Sequence, residues 1–320
     1  MQVFNNDELR GLFSPLSRSH KGQNGKLLIV GGSHLFHAAS IWALTIASRI
    51  VDMVFYSSVQ VNNEIVALAK REFRNGIVVP RDDLDRYAEE ADVIVIGPGM
   101  VRGEELRVDG KYKGLKEIGG MRDEGEQSYY LTGYLLEKFS KKKWVIDAGA
   151  LQMMELEWIK QLEAHVILTP HRGEFERLRL KVKDDGVRAQ MEGRTLEDQV
   201  ALFAKAYNCI VLLKGPEDVV CPSVGEPGSR EECVVVRGGN AGMTKGGTGD
   251  VLAGLVGALS CNNDLWIAAK LGSYFNKRAG DSLFEKVGYY FNASDLADEI
   301  PRVMRLELLA VGRGVSEFGS

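Results

Sequence analysis

The sequence predicts one α/β domain built on a largely parallel sheet, and three observations carry that prediction. Short β-branched runs alternate with helical periodicity from one end of the chain to the other, the pattern of repeated βαβ units. Each apolar run ends in glycine or a polar residue. No Pro/Gly/Ser-rich linker divides the 320 residues, a length that suits one large α/β domain.

An N-terminal arm, residues 1–24, precedes the first strand at 26–31 (KLLIVG). Further strands are expected at 53–59, 92–97 (DVIVIG), 144–147, 165–168, 210–214 and 233–237, each a short β-branched or aromatic run. Apolar residues at helical spacing predict helices over 39–51, 83–90, 131–139, 195–207, 248–260 and 264–283. Asn262 and Asn263 supply the turn between the last two. Only 102–128 breaks the rhythm: it is charged, holds six glycines and offers no apolar stripe. It reads as an inserted surface excursion, with a lid over a site as the alternative. From residue 25 to 320 the chain reads as a single domain, and the 24 residues before it are too few for a second one.

Composition excludes several classes. Forty Lys and Arg stand against 44 Asp and Glu, a net charge of -4, so no chain-wide basic field exists for nucleic acid. The first residues show no basic stretch followed by an apolar one, and no apolar run approaches the ~20 residues of a membrane span. Cys209, Cys221, Cys233 and Cys261 show no C-x-x-C spacing. They read as reduced core thiols, and the chain as cytoplasmic. The outlier is glycine: 36 of 320 residues, about 11% against a usual ~7%.

Eight of these glycines fall within 238–257, GGNAGMTKGGTGDVLAGLVG, which runs from a strand through a loop into a helix. Glycine lets successive backbone N–H groups face one point, and the positive end of the helix dipole adds to them, so an anion is expected there. It is neither a Walker A loop nor a G-x-G-x-x-G dinucleotide loop. Asp250, in the first turn, reads either as a cap or as the base that deprotonates a hydroxyl attacking a bound phosphoryl group; the whole segment favours the base.

GTGDVLAG resembles the anion-hole motif of ribokinase-like proteins, and residues 240–250 resemble NAD(P)H-hydrate dehydratases, a branch of that superfamily. Five other stretches agree in order: GKLLIVGGS (25–33), VIVIGPGM (93–100), VIDAGAL (145–151), ILTPHRGEF (167–175) and VLLKG (211–215). The resemblance covers about residues 25 to 300. It implies a three-layer sandwich with a mainly parallel sheet flanked by helices. It also implies dehydration of the hydrated forms of NADH and NADPH, driven by ADP in preference to ATP with Mg2+, returning the reduced cofactor, AMP and phosphate.

Carried over by position, the resemblance makes Asp250, Gly249 and Gly247 catalytic, with Gly246 completing the anion hole. Lys214, Gly215, Pro216, Glu217 and Asp218 are assigned with Gly246, Gly247, Thr248 and Gly249 to the nucleotide, and Ala39, Gly99, His171 and Asp250 to the hydrated cofactor. Glu174 reads as a helix cap or as the holder of a metal-bound water. The chain departs from the family pattern at Ala241, Thr244, Lys245, Ala38, Ser40 and Gly149. Gly149 replaces a carboxylate, and Lys245 adds a charge that would face the phosphates or solvent. His34 and His37 sit near the substrate loop without a third ligand, so no metal-ligating set is nominated. The resemblance further suggests a homo-oligomer, with a tetramer as one form, and a partner epimerase carried on a separate protein. The same cradle and aspartate also suit a kinase for a small alcohol or vitamin precursor. A nucleotide-binding sensor without catalysis is the reading from another class.

Overall fold

In a computed structural model, residues 1–103, 113–164, 166–225 and 232–313 are described. Ten strands form one sheet: β1 (Gln2–Val3), β2 (Lys26–Val30), β3 (Met53–Ser57), β4 (Ile77–Val78), β5 (Val93–Ile96), β6 (Lys143–Ile146), β7 (Val166–Leu168), β8 (Ile210–Leu213), β9 (Asp218–Cys221) and β10 (Val234–Val236), in the order β1-β10-β9-β8-β7-β6-β5-β2-β3-β4. From β8 to β4 all neighbours run parallel; β9 is antiparallel to both β8 and β10.

The strands are apolar on both sides because both sides are covered. Along β2 the side chains alternate: Leu27 and Ile29 enter one core, Leu28 and Val30 the other. β5 repeats this, with Val93 and Val95 opposite Ile94 and Ile96. The first layer holds α1 (His37–Ala47), α2 (Gln60–Ala69), and, late in the chain, α11 (Thr248–Ser260), α12 (Leu265–Val287) and α13 (Ala293–Ala310). The opposite layer holds α3 (Leu84–Glu90), α4 (Leu115–Gly119), α5 (Glu124–Lys138), α6 (Ala148–Met153), α7 (Leu156–Lys160), α8 (Arg172–Leu180), α9 (Asp185–Met191) and α10 (Leu196–Tyr207).

All seven expected strands are present, apart from His165, which lies outside the described residues. β1, β4 and β9 were not expected. Each of the first two pairs through only two residues, too few for periodicity to register. The arm is not loose: β1 joins the sheet beside β10, and Leu9 and Leu12 bury completely or nearly so in the core.

Two expectations need correction. The segment 102–128 is not wholly a surface excursion, for α5 starts at Glu124, capped by Asp123, and buries Gly125 and Ser128 ahead of the apolar stretch. Residues 104–112 of that segment lie outside the described residues. The four cysteines are not all reduced thiols either: Cys221 and Cys233 form a disulfide. Antiparallel register explains it, because Val234 faces Val220 and so brings residue 233 opposite 221. Cys209 and Cys261 are free.

Candidate active site

The site gathers at the carboxyl ends of the parallel strands, where open α/β sheets bind ligands. Four glycines close its floor by letting backbone approach backbone. A Cβ on Gly31 would lie 2.3 Å from the Pro98 carbonyl oxygen, and one on Gly97, at φ +123°, 1.8 Å from that of Asp147. Gly99, at φ +72°, brings the Pro98–Met100 turn against Ala39 and the Phe36 carbonyl. Ala39 and Gly99, both assigned to the hydrated cofactor, are therefore direct neighbours. A Cβ on Gly149 would fall 2.2 Å from the Met100 carbonyl oxygen, so a carboxylate cannot stand there without moving the backbone. That is the physical meaning of the departure at this position.

An acid does stand two residues earlier, just after β6. Asp147 is buried, and its Oδ1 accepts from the Thr169 hydroxyl at 2.8 Å and from Lys214 Nζ at 2.8 Å. Ala148, immediately after it, holds φ +42°, a conformation that costs a non-glycine residue on the order of 1–2 kcal/mol. Lys214, at the end of β8, also lies 3.9 Å from Glu174 Oε2. Burial pulls its ammonium down, but Asp147, Glu174 and Asp250 outweigh that and hold its pKa above the ordinary lysine value.

Asp250 completes the group. Burial pushes its carboxyl up, Asp147 adds to the rise, Lys214 opposes it, Glu174 adds again, and the result is about 7. Its helix begins at Gly247, which has φ +97° and receives no side-chain cap. No side chain closes that turn; the Thr248 N–H meets only the Lys245 carbonyl, at 3.4 Å. Lys214 Nζ would be 3.4 Å from a Cβ on Gly249, so the ammonium sits against that turn. Together these set a helix start and one ammonium among three carboxyl groups, of which Asp250 is the one raised to about 7.

Other expected residues have different surroundings. Gly247 packs its backbone against the Trp42 ring, while nothing stands within 4 Å of the space beside Gly246. Thr248 is inward-facing: its hydroxyl donates to the Met243 and Lys245 carbonyls at 2.6 and 3.0 Å. Lys245 is exposed, the solvent side of the two expected placements; its ammonium donates to the Tyr289 carbonyl and sits 5.1 Å from the Phe291 ring centroid. His171 Nδ1 accepts from the Gly173 and Glu174 N–H groups, and Glu174 Oε2 accepts from His171 N–H at 2.9 Å, a reciprocal cap on α8. The ring itself is exposed beside Lys214, to which His171 pairs as an isolated bridge.

The turn from Gly215 to Asp218 is held from behind. Asp218 is buried; it accepts from Gly215 N–H at 2.9 Å and from the Ser273 hydroxyl at 2.7 Å, and pairs with Lys277 at 3.2 Å. Lys277 also donates to the Gly215 and Pro216 carbonyls, each at 3.0 Å. Glu217 reaches outward to Arg237 at 2.9 Å. Asp147 and Lys277 escaped the sequence reading. Asp147 stood inside VIDAGAL, where an acid at a strand end was the signal to follow; Lys277 lies mid-helix with nothing around it to mark it.

The residues do not form a resident metal cage. Among the described residues no group of three or more His, Cys, Asp or Glu could hold a metal ion, and Asp147 and Glu174 are already engaged by Lys214. Among them, too, no helix is long and apolar enough to cross a membrane.

The open, mostly parallel α/β sheet covered by helices on both faces is the ribokinase-like fold. A ribokinase-like protein from Enterococcus faecalis superposes with a TM-score of 0.71 at 21% identity, over 96% of each chain. Within that class the chain belongs to the NAD(P)H-hydrate dehydratase family, whose model matches residues 27–302. It is 30% identical over 311 residues to an ADP-dependent (S)-NAD(P)H-hydrate dehydratase of Cenarchaeum symbiosum, covering 95% of this chain and 97% of that one. It is also 30% identical over 307 residues to a bifunctional NAD(P)H-hydrate repair enzyme of Methanocaldococcus jannaschii, covering 93% of this chain and 52% of that one. The chain thus spans about half the length of the bifunctional relatives it matches.

Proposed function

We propose that the protein uses ADP, or ATP less readily, to remove water from the 6-hydroxy (S) hydrates of NADH and NADPH. The observation that carries the reading is the Asp250 carboxyl, raised to about 7 at the edge of an uncapped helix start with Lys214 beside it. A base with that pKa is half ionised at neutral pH and suited to accept a proton in the transition state.

Asp250 takes the proton of the C6 hydroxyl as that oxygen attacks the terminal phosphoryl group of the nucleotide. The bond from phosphorus to the bridging oxygen breaks and AMP leaves when ADP is the donor. The Gly246–Gly249 backbone and Lys214 stabilise the charge on the transferring group, work that is mostly positioning and electrostatics. The C6–O bond then breaks, the ring nitrogen supplies the electron pair, and loss of a C5 proton restores the dihydronicotinamide with free phosphate. His171, exposed at the cap of α8, and the Ala39–Gly99 contact border the ring of the hydrate; the 214–218 turn borders the nucleotide. Mg2+ arriving with the nucleotide would be held mainly by phosphate oxygens and water, and would neutralise charge there. We further place the protein in the cytoplasm as a homo-oligomer, paired with an epimerase that supplies the S hydrate.

The product separates this reading from small-molecule phosphorylation. A dehydratase restores reduced-nicotinamide absorbance and releases one phosphate per turnover, whereas a kinase leaves a stable phosphate ester.

A further inference from the structure

Four strand positions from β6, at the far edge of the sheet, a half-buried cationic side chain has no use in the chemistry above. Arg81 follows β4, and its Nη1 is buried with no hydrogen-bond partner among the described residues. Such a group is costly unless something else satisfies it. Burial lowers its pKa to about 10, with Tyr56 and Glu124 opposing, so it stays charged at neutral pH. Glu124 does not neutralise it by contact, because Glu124 Oε2 accepts from His34 N–H at 3.2 Å and lies 3.0 Å from His34 Nδ1.

Arg81 lines a cavity of about 560 Å3 between the β3 and β4 ends and the described part of the inserted segment. Lys116 and Arg122 stand on the same wall, with Asp82 and Glu124 as the acids, an excess of one positive charge. A second, water-sized cavity of about 10 Å3 shares Val59, Arg81, Glu124 and Gln127 with it and reaches Gly31 and Gly32, the floor of the substrate loop. The two cavities thus share a wall beside that floor. At ~4.8 Å per strand, four positions separate it from Asp147 by roughly 19 Å. That is the scale of an extended dinucleotide and too far for the reacting ring alone.

We infer that this cavity is an anion subsite in which Arg81 holds a phosphate group of the substrate distant from the ring that reacts. The inference rests on the proposed dehydratase reading for its substrate. The chemistry is shared by two sources, the pyrophosphate common to both hydrates and the 2′-phosphate of the NADPH form alone.

The test uses Arg81→Gln, with Arg81→Lys and an Arg122→Ala and Lys116→Ala double variant covering the case where the first does not fold. Steady-state rates with each hydrate should show KM raised about tenfold or more in Arg81→Gln, with kcat and the KM for ADP unchanged and partial recovery in Arg81→Lys. Equal losses place the pyrophosphate at Arg81; a loss confined to the NADPH hydrate places the 2′-phosphate there. In parallel, calorimetry with inorganic pyrophosphate, at saturating ADP, should show binding that weakens about tenfold in Arg81→Gln. Unchanged KM for both hydrates and unchanged pyrophosphate binding in a folded variant would overturn the subsite. Binding that depends on Arg81 in a protein that turns over neither hydrate keeps the subsite and removes the dehydratase reading instead.

Discussion

Lys214 Nζ stands 2.8 Å from Asp147 Oδ1, although 67 residues separate them in the chain, and this pair sets the electrostatics around Asp250. Asp147 raises the Asp250 carboxyl and Lys214 lowers it. Opposite signs on one titrating group give a sharp expectation. The rate with hydrated NADH should climb with pH through a midpoint near 7 in the wild type. Asp147→Asn should move that limb to lower pH and Lys214→Met to higher pH, beside the loss of rate each causes. Both limbs shifting in the same direction in pH–rate profiles would refute the assignment.

Asp250 should also weaken the fold where it is charged. Its folded pKa of about 7 lies above the ordinary 3.8, so the folded state binds the extra proton. That contribution is fully favourable below about pH 4 and is lost as pH rises through 7. Asp250→Asn is expected to be more stable than wild type at pH 8, by on the order of 2–4 kcal/mol, and nearly equal at pH 4. Denaturant melts at the two pH values check this.

Gly247 and Gly246 should respond differently to the same substitution. A Cβ at Gly247 would lie 2.3 Å from the Trp42 ring and 2.7 Å from Ala293 Cβ, at φ +97°. Gly247→Ala should cost about 2 kcal/mol or more in stability as well as activity. At Gly246 the space is open, so Gly246→Ala should leave the thermal midpoint within about 2 °C and act only on nucleotide KM and turnover.

The Cys221–Cys233 bond spans 12 residues. Closing a loop of that length is worth about 3 kcal/mol in the chain-entropy model. A Cys221→Ala, Cys233→Ala protein should lose roughly that much in denaturant unfolding. Because β9 starts at Asp218, which braces the 214–218 turn, nucleotide KM should rise with it while kcat for bound substrate holds.

The long central strands were legible because burial on both faces writes a continuous apolar run, as in KLLIV of β2. β1 and β4 were not, since two residues carry too little pattern. Cradle glycines and Asp250 could be read because they are adjacent in the chain and their chemistry is local. The groups that tune them are not adjacent: Asp147 meets Lys214 across 67 residues, Lys277 meets Gly215 across 62, and Ser273 meets Asp218 across 55. Strand order creates those contacts, and no spacing rule announces them. Arg81 was hidden for the same reason, as its setting depends on β3, β4 and α5 converging. The disulfide was misread because register, which spacing does not reveal, decides whether two cysteines meet.

The central claim is that Asp250 is the base for a phosphoryl transfer that ends in dehydration. Purified wild type, given the S hydrate of NADH and ADP, should restore absorbance of the reduced nicotinamide with one AMP and one phosphate formed per turnover. Asp250→Asn should bind ADP as wild type does and lose about 10^3-fold in turnover. A folded Asp250→Asn protein that repairs the hydrate at the wild-type rate would contradict the account.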